Sequence, residues 1–186
     1  MSSAVTHYTK RLVSYDTTFK KIELQDGDYD DFELSDLSSC LSLYPNVITT
    51  LRLAGNQLTD ITGVKLVRFV ATSSTSKIFD MRYNKIGTAT RLALAATLRV
   101  NSSLRDIYLN GNQTVDRNLV DAAFIEALRL NPRRPHLSWW RLYSFSSVDA
   151  DCQRLKDAAE KCAPPSMLEF LLYVHLDTKK IETKIH

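Results

Sequence analysis

The side chains that most often carry catalytic or metal chemistry are dispersed along this sequence. Its histidines stand far apart, at His7, His136, His175 and His186. No glycine-rich phosphate loop is present, and no nucleophile stands in an elbow or triad setting that would activate it. The sequence therefore predicts a protein that is not an enzyme and that holds no metal and no cofactor.

Two pairs of neighbouring carboxylates are the remaining candidates for acid–base chemistry. Asp30 with Asp31, and Asp149 with Asp151, suggest paired acid and base groups. Both pairs precede predicted helices, where negative charge is favoured by the helix dipole and can cap the first turn. We therefore expect these carboxylates to stabilise helices rather than to react.

The three cysteines form neither a metal-binding nor a disulfide pattern. Cys40, Cys152 and Cys162 are an odd set, without a C-x-x-C pair and without a histidine at zinc-finger spacing. We expect reduced, mostly buried thiols.

Composition and length predict one folded domain. The chain has 186 residues, 44% of them hydrophobic and 24% charged, with a net charge of +3. The densest apolar stretch, Met167 to Leu176, is interrupted by Glu169 and His175 and is shorter than the roughly 20 residues that span a bilayer. Since the first residues lack a signal-peptide pattern, we expect a cytoplasmic protein that does not enter membranes and is monomeric on its own.

An internal period is the strongest pattern in the sequence. Segments 48–58, 76–86 and 104–114 align, and their asparagines, Asn56, Asn84 and Asn112, are 28 residues apart. The segments resemble the leucine-rich-repeat consensus L-x-x-L-x-L-x-x-N-x-L, and the spacing resembles the longer, helix-containing class typified by ribonuclease inhibitor. Ser76 and Thr114 depart from it at aliphatic positions.

Degenerate copies extend the pattern on both sides. Segment 19–29 is one residue out of phase and has Gly27 in place of the asparagine. A fifth strand would direct Leu137 and Trp139 inward, with Leu142 at the asparagine position. Helices are predicted to return the chain after the first four strands, over Asp31–Leu43, Thr62–Ala71, Thr88–Val100 and from an N-cap at Asp116 to Asn131–Pro132. The resulting fold class is α/β: a right-handed leucine-rich-repeat solenoid of about five βα units, with a concave parallel sheet and convex helices.

Open stacks of repeats require caps at their ends. Residues 1–18 are predicted to form the N-terminal cap, because Val5, Tyr8, Leu12 and Tyr15 are spaced for one face of a helix. The repeats occupy residues 19–145, the C-terminal cap 146–176 and a tail 177–186. Met167 to Leu176 either closes the stack or forms an exposed docking arm.

Side-chain alternation separates core from surface along each strand. Leu51 with Leu53, and the equivalent pairs, point into the core, whereas the residues between them form columns on the concave face. The asparagines would form a ladder that satisfies backbone groups at each turn. The surface columns lead us to predict partner-binding residues Arg52, Asp80, Arg82, Tyr83, Tyr108, Asn110, Trp140 and Arg141.

The columns favour a protein partner over a nucleic acid. Arginines interleaved with aromatic residues could bind RNA, and an RNA-binding subunit is therefore one alternative. Glu23, Asp26, Asp80 and Asp106, which lie on or near the same face, oppose a phosphate track. The main expectation is a non-catalytic scaffold or adaptor in a cytoskeletal or other large assembly.

The stretch from Asn84 to Leu104, NKIGTATRLALAATLRVNSSL, resembles the repeats of the tropomodulin C-terminal domain. The resemblance covers roughly Phe19 to Phe145 and implies a compact five-unit solenoid. It also implies a second alternative function, actin binding at filament pointed ends, and a cytoskeletal location. Most of the matching positions belong to the scaffold, which reports fold rather than partner.

Overall fold

The fold is described by a computed structural model over residues 3–113 and 117–131. Within those residues, strands and helices alternate after a first helix. The strands are β1 (Lys21–Glu23), β2 (Thr50–Arg52), β3 (Ile78–Asp80) and β4 (Asp106–Tyr108). The helices are α1 (Ser3–Val13), α2 (Ser35–Leu43), α3 (Asp60–Thr72), α4 (Thr88–Leu98) and α5 (Arg117–Leu130).

The four strands form one parallel sheet in the order β1-β2-β3-β4. Ile22 pairs with Leu51, Leu51 with Phe79, and Phe79 with Ile107, so one position of the repeat forms a continuous column. All four side chains of this column are fully buried. The alternation read from the sequence therefore matches the described register.

The described helices pack in sequence order, α1 on α2 through to α4 on α5. Close packing of α3 on α4 depends on Gly63, because a Cβ at this position would lie 2.2 Å from the Thr90 Oγ1 atom. The core consists of the inward strand residues and the buried helix residues, Leu37, Leu66, Leu94 and Phe124 among them.

The predicted helix bounds shift in the structure, by one or two residues for α3 and α4 and by more at two places. The helix expected over Asp31–Leu43 begins at Ser35, because residues 31–34 form a turn in which Asp30 Oδ1 accepts the Glu33 N–H at 2.9 Å. Tyr15, expected on the buried face of the first helix, lies beyond α1, is 63% exposed and has a φ of 54°. Its ring contacts Tyr44 edge-on at 4.7 Å instead.

Several predictions lie outside the described residues. They concern the fifth strand with Trp140 and Arg141, the C-terminal cap, the tail, the Asp149–Asp151 pair and two cysteines, Cys152 and Cys162.

No described helix is long and apolar enough to cross a bilayer. Residues 3–113 and 117–131 also hold no cluster of three or more histidine, cysteine or acidic side chains that could bind a metal.

Candidate protein-binding surface on the parallel sheet

The turn that follows each strand fixes the geometry of the candidate surface. Asn84 Nδ2 donates to the Leu53 carbonyl of the preceding unit at 2.8 Å and to the Arg82 carbonyl of its own unit at 3.0 Å. Its Oδ1 accepts the Leu58 N–H at 3.0 Å. Asn56 and Asn112 make equivalent bonds. The turns are therefore held to one another from unit to unit.

The residue before each ladder position has a left-handed backbone. Asp26, Gly55, Tyr83 and Gly111 have φ values of 53°, 69°, 52° and 74°. Two of these positions are glycines, which adopt positive φ without steric cost. A side chain at one unit covers the glycine of the next, since a Cβ at Gly55 would meet Asp26 and a Cβ at Gly111 would lie 2.3 Å from the Tyr83 ring.

The column formed by Glu23, Arg52, Asp80 and Tyr108 takes part in two closed ion pairs. Arg52 Nη1 donates to Glu23 Oε1 at 3.0 Å across neighbouring strands. Arg82 donates through Nε and Nη2 to the two oxygens of Asp80, at 2.9 and 2.7 Å. The guanidinium of Arg82 also lies 5.1 Å from the centre of the Tyr108 ring. The column therefore presents paired rather than isolated charge.

Asp80 was expected to face solvent, and that expectation is wrong. Its side chain is buried because the Arg82 guanidinium folds back over it, two residues along the chain. The Asp80 hydrogen bond raises the pKa of Arg82, with desolvation by burial acting in the opposite direction. Asp80 therefore positions Arg82 and is not itself available to a partner.

Asn110 was also expected at the surface, but it is buried. Its carbonyl accepts the Tyr83 N–H at 3.0 Å, and the Tyr83 ring lies over the adjacent Gly111. The predicted residues that the structure leaves partly or largely accessible are Arg52, Arg82, Tyr83 and Tyr108. Tyr83 is the most accessible of them, with 59% of its surface exposed. Trp140 and Arg141 lie outside the described residues.

Asp31, of the first carboxylate pair, and Asp60 have a structural role that connects neighbouring units. Asp31 accepts the backbone N–H groups of Thr59 and Thr62, at 3.1 and 3.2 Å, at the start of α3. Asp60 does the same at the start of α4, where it accepts from the N–H groups of Gly87 and Thr90 at 2.9 and 3.1 Å. Each carboxylate thus caps the helix of the following unit rather than its own.

Burial and hydrogen bonding act in opposite directions on these carboxyl groups. Desolvation is the largest single effect and raises the pKa of Asp60, but the bonds from Thr90, Gly87 and Ala89 together lower it below its usual value. The pKa of Asp31 is lowered for the same reason. These groups are therefore held as anions where helix N–H groups need acceptors.

Sequence reasoning missed Arg91, which is only 4% exposed within α4. Its Nη2 donates to the Leu109 carbonyl at 3.1 Å, at the end of the described sheet. The predicted alignment of repeats would have been a usable signal, because it puts Leu142, which has no amide to donate, at the ladder position of the next unit.

Comparisons with known proteins agree on the fold. No family model and no curated protein sequence matches the chain. Among solved structures, actin-binding site 2 of leiomodin-1 superposes with a TM-score of 0.71 at 14% identity, covering 99% of this chain and 98% of that one. The tropomodulin C-terminal domain of Caenorhabditis elegans superposes with a TM-score of 0.69 at 18% identity, covering 96% and 98%.

These observations define the chain as a mixed α/β protein with a parallel sheet. Its fold is similar to that of the tropomodulin C-terminal domain. At such low identities the likeness establishes the fold alone. The function is therefore a separate question, which depends on the surface that this fold presents.

Proposed function

We propose that this chain is a non-catalytic protein-interaction module that binds actin. The observation that carries the proposal is the likeness, over nearly the whole of both chains, to a domain described as an actin-binding site. The two closed ion pairs and the accessible tyrosines of the sheet face support a protein partner, because interfaces are rich in tyrosine and arginine.

The proposal includes a complete architecture. The described units would be four of five in a right-handed solenoid of the ribonuclease-inhibitor-like class, with α1 as the N-terminal cap and residues 146–176 as the C-terminal cap. Support for α1 as a cap comes from Val5 and Leu12, which are fully buried, and from the Tyr8 hydroxyl, which donates to the Glu23 carbonyl of the first strand at 3.3 Å. The protein would associate with the cytoskeleton.

Co-sedimentation with actin filaments tests the proposal directly. The full chain should pellet with filaments or, if it binds only their ends, slow subunit addition at pointed ends while barbed ends are blocked. The double variant Tyr108→Ala, Trp140→Ala should weaken the effect, whereas Phe32→Ala, at an exposed aromatic in the turn before α2, should not. An absence of any effect of the wild-type chain on sedimentation and on pointed-end growth would refute actin binding.

A broader scaffold function remains the second candidate. It is favoured by the same accessible tyrosines, which would serve any protein partner. Affinity purification from the native cell separates the two candidates: a defined assembly without actin supports the scaffold, and recovery of actin as a stoichiometric component supports the first proposal.

A further inference from the structure

Tyr83 departs from the residue types found at the equivalent positions of the other described units. The row contains Asp26, Gly55, Tyr83 and Gly111, all with positive φ. Glycine adopts positive φ without steric cost, and aspartate is found with positive φ more often than most residues. A tyrosine there carries steric strain between its Cβ and the backbone. Such strain persists only where the surrounding structure imposes it, and it concentrates at functional sites.

A second tyrosine shows what a purely structural explanation would look like. Tyr15 also has a positive φ, of 54°, and is 63% exposed. It follows the last turn of α1, where its N–H bonds to the Leu12 carbonyl at 3.1 Å, and its ring packs edge-on against Tyr44. Left-handed residues are common directly after helices. Tyr15 therefore has a local reason for its conformation.

The positive φ of Tyr83 belongs to the turn that every described unit shares, but in this unit the turn carries an exposed aromatic ring. The Tyr83 ring makes none of the described aromatic pairs and lies over Gly111, whose missing side chain leaves the necessary space. The backbone conformation of Tyr83 and the contact of its ring with Gly111 thus fix the position of the phenol ring at the surface. A ring already ordered loses little conformational entropy when it is covered by a partner.

The guanidinium next to Tyr83 is ordered in the same way. Asp80 engages two N–H groups of Arg82, and the Tyr108 ring lies beneath the group. A guanidinium has five N–H donors, so three remain without a hydrogen bond in the described part of the chain. Arg82 can therefore donate to an oxygen acceptor without first being reoriented.

We infer that Tyr83 and Arg82 together form the anchor of the partner-binding surface. The complementary partner is a protein segment that places an aliphatic or aromatic side chain against the Tyr83 ring and a carbonyl or carboxylate oxygen within reach of Arg82. The inference rests on the proposed function, because actin is the probe protein. It adds the contact residues and the chemistry of the segment that they recognise.

Charge distinguishes this partner from a nucleic acid. Asp80 neutralises Arg82 and Glu23 neutralises Arg52, so the surface around Tyr83 carries closed pairs. Binding at such a surface releases few counterions and depends weakly on salt, whereas phosphate contacts produce a steep loss of affinity with added salt. A protein segment of low net charge is the occupant that these pairs favour.

The test compares two tyrosines that share a conformation but differ in location. Tyr83→Asn and Tyr15→Asn each replace a left-handed tyrosine by a residue that tolerates positive φ. Affinity for actin filaments and the thermal midpoint are measured for both variants and for the wild type, at about 50 and 200 mM salt. Tyr83→Asn should weaken binding about tenfold or more at both salt concentrations. Tyr15→Asn should bind as the wild type does.

The thermal midpoint separates a binding role of Tyr83 from a structural one. If Tyr83 mainly stabilised the fold, its replacement would lower the midpoint. Relief of strain should leave the thermal midpoint of Tyr83→Asn unchanged or raise it by up to about 4 °C. A variant that loses binding but also melts several degrees lower would overturn the inference, as would a variant that binds normally. If the wild-type chain does not bind actin filaments, the proposed function is refuted, and this inference is refuted with it.

Discussion

The carboxamide of Asn56 hydrogen-bonds backbone groups of two successive strand–helix units. Its Nδ2 donates to the Leu24 carbonyl at 2.7 Å and to the Leu53 carbonyl at 2.9 Å, while its Oδ1 accepts the N–H groups of Gly27 and Tyr29 at 3.2 and 3.0 Å. The side chain is buried, so water cannot replace these bonds. One side chain thereby satisfies backbone hydrogen-bonding groups in the turn of its own unit and in the turn of the unit before.

Asn56→Ala should therefore cost about 2–4 kcal/mol in the free energy of unfolding, because several buried backbone groups lose their partners at once. Urea denaturation measures the loss. The neighbouring Gln57 is the control, since its amide bonds only to the side chain of Asp28 at the surface, at 2.8 Å. Gln57→Ala should change stability by no more than about 0.5 kcal/mol. Equal losses in the two variants would contradict the ladder as the source of stability.

Arg91 donates to the last of the ladder carbonyls in the described sheet. The carbonyls of Leu24, Leu53 and Met81 each accept a bond from the asparagine of the following unit. The corresponding carbonyl of Leu109 accepts a bond from Arg91 instead. A guanidinium directed inward from α4 thus donates to the carbonyl position that receives an asparagine amide in the earlier units.

Arg91→Met retains the apolar part of this side chain and removes its donors. We expect a loss of about 1–3 kcal/mol in the free energy of unfolding, because a buried hydrogen bond from a charged donor is lost while the Leu109 carbonyl keeps only its bond from Asn112. Arg99→Met makes the same change at an exposed position just after α4 and should be close to neutral. The interpretation would be wrong if chemical denaturation gave both variants the stability of the wild type.

At the scale of elements, helix α4 depends on a carboxylate from the preceding unit. Asp60 Oδ1 accepts N–H bonds from Gly87 and Thr90, and Oδ2 accepts one from Ala89 at 3.2 Å. The residue at the N-cap position of α4 is Gly87, which has no side chain to do this. Capping thereby becomes an interaction between units, and it adds to their packing.

This capping predicts acid sensitivity. The pKa of Asp60 is lower in the folded protein than the usual value of 3.8. A lowered folded-state pKa means that the carboxylate stabilises the fold at pH values above the unfolded pKa. This contribution is lost as the pH falls through the folded pKa. The thermal midpoint of the wild type should therefore decline below about pH 4.

Asp60→Asn is the variant that tests this assignment. Asparagine keeps an acceptor but has no charge to lose, so the variant should be less stable than the wild type at neutral pH and should show a shallower decline in acid. Asp36→Asn, at an exposed carboxylate in the first turn of α2, should follow the wild-type profile. Parallel profiles for Asp60→Asn and the wild type would exclude Asp60 as the source.

The sequence predicts elements better than it predicts the residues that bridge them. The 28-residue period places β2, β3 and β4 in register, and the degenerate first copy places β1 one residue out of phase. Alternation fixes which of their side chains point inward. It cannot reveal that Arg82 folds over Asp80, since alternation alone places both residues outward. Nor does it show that Asp31 caps the following helix, because this contact depends on how closely the units stack. The sequence therefore predicts which strand positions face the surface, but it does not predict that Asp80 and Asn110 are buried there.

At the scale of the whole molecule, each described unit depends on its neighbours. The strands pair in sequence order and the helices pack mainly on the next helix along the chain. The ladder and the Asp31 and Asp60 caps also connect adjacent units. In such a stack, stability is approximately a sum of unit and interface contributions, so a local defect should weaken nearby units more than distant ones.

Leu12→Ala tests this dependence from the N-terminal end. Leu12 is fully buried in α1, and removal of its side chain should cost about 2–5 kcal/mol locally. Native-state hydrogen exchange should show the greatest loss of amide protection in β1 and α2, with smaller losses in β3 and α4. Val13→Ala, at the exposed neighbour of Leu12, should leave the exchange pattern unchanged. Equal loss of protection in all four strands would show that the described units open as one cooperative body, so that α1 would be part of a single core rather than a cap on a stack.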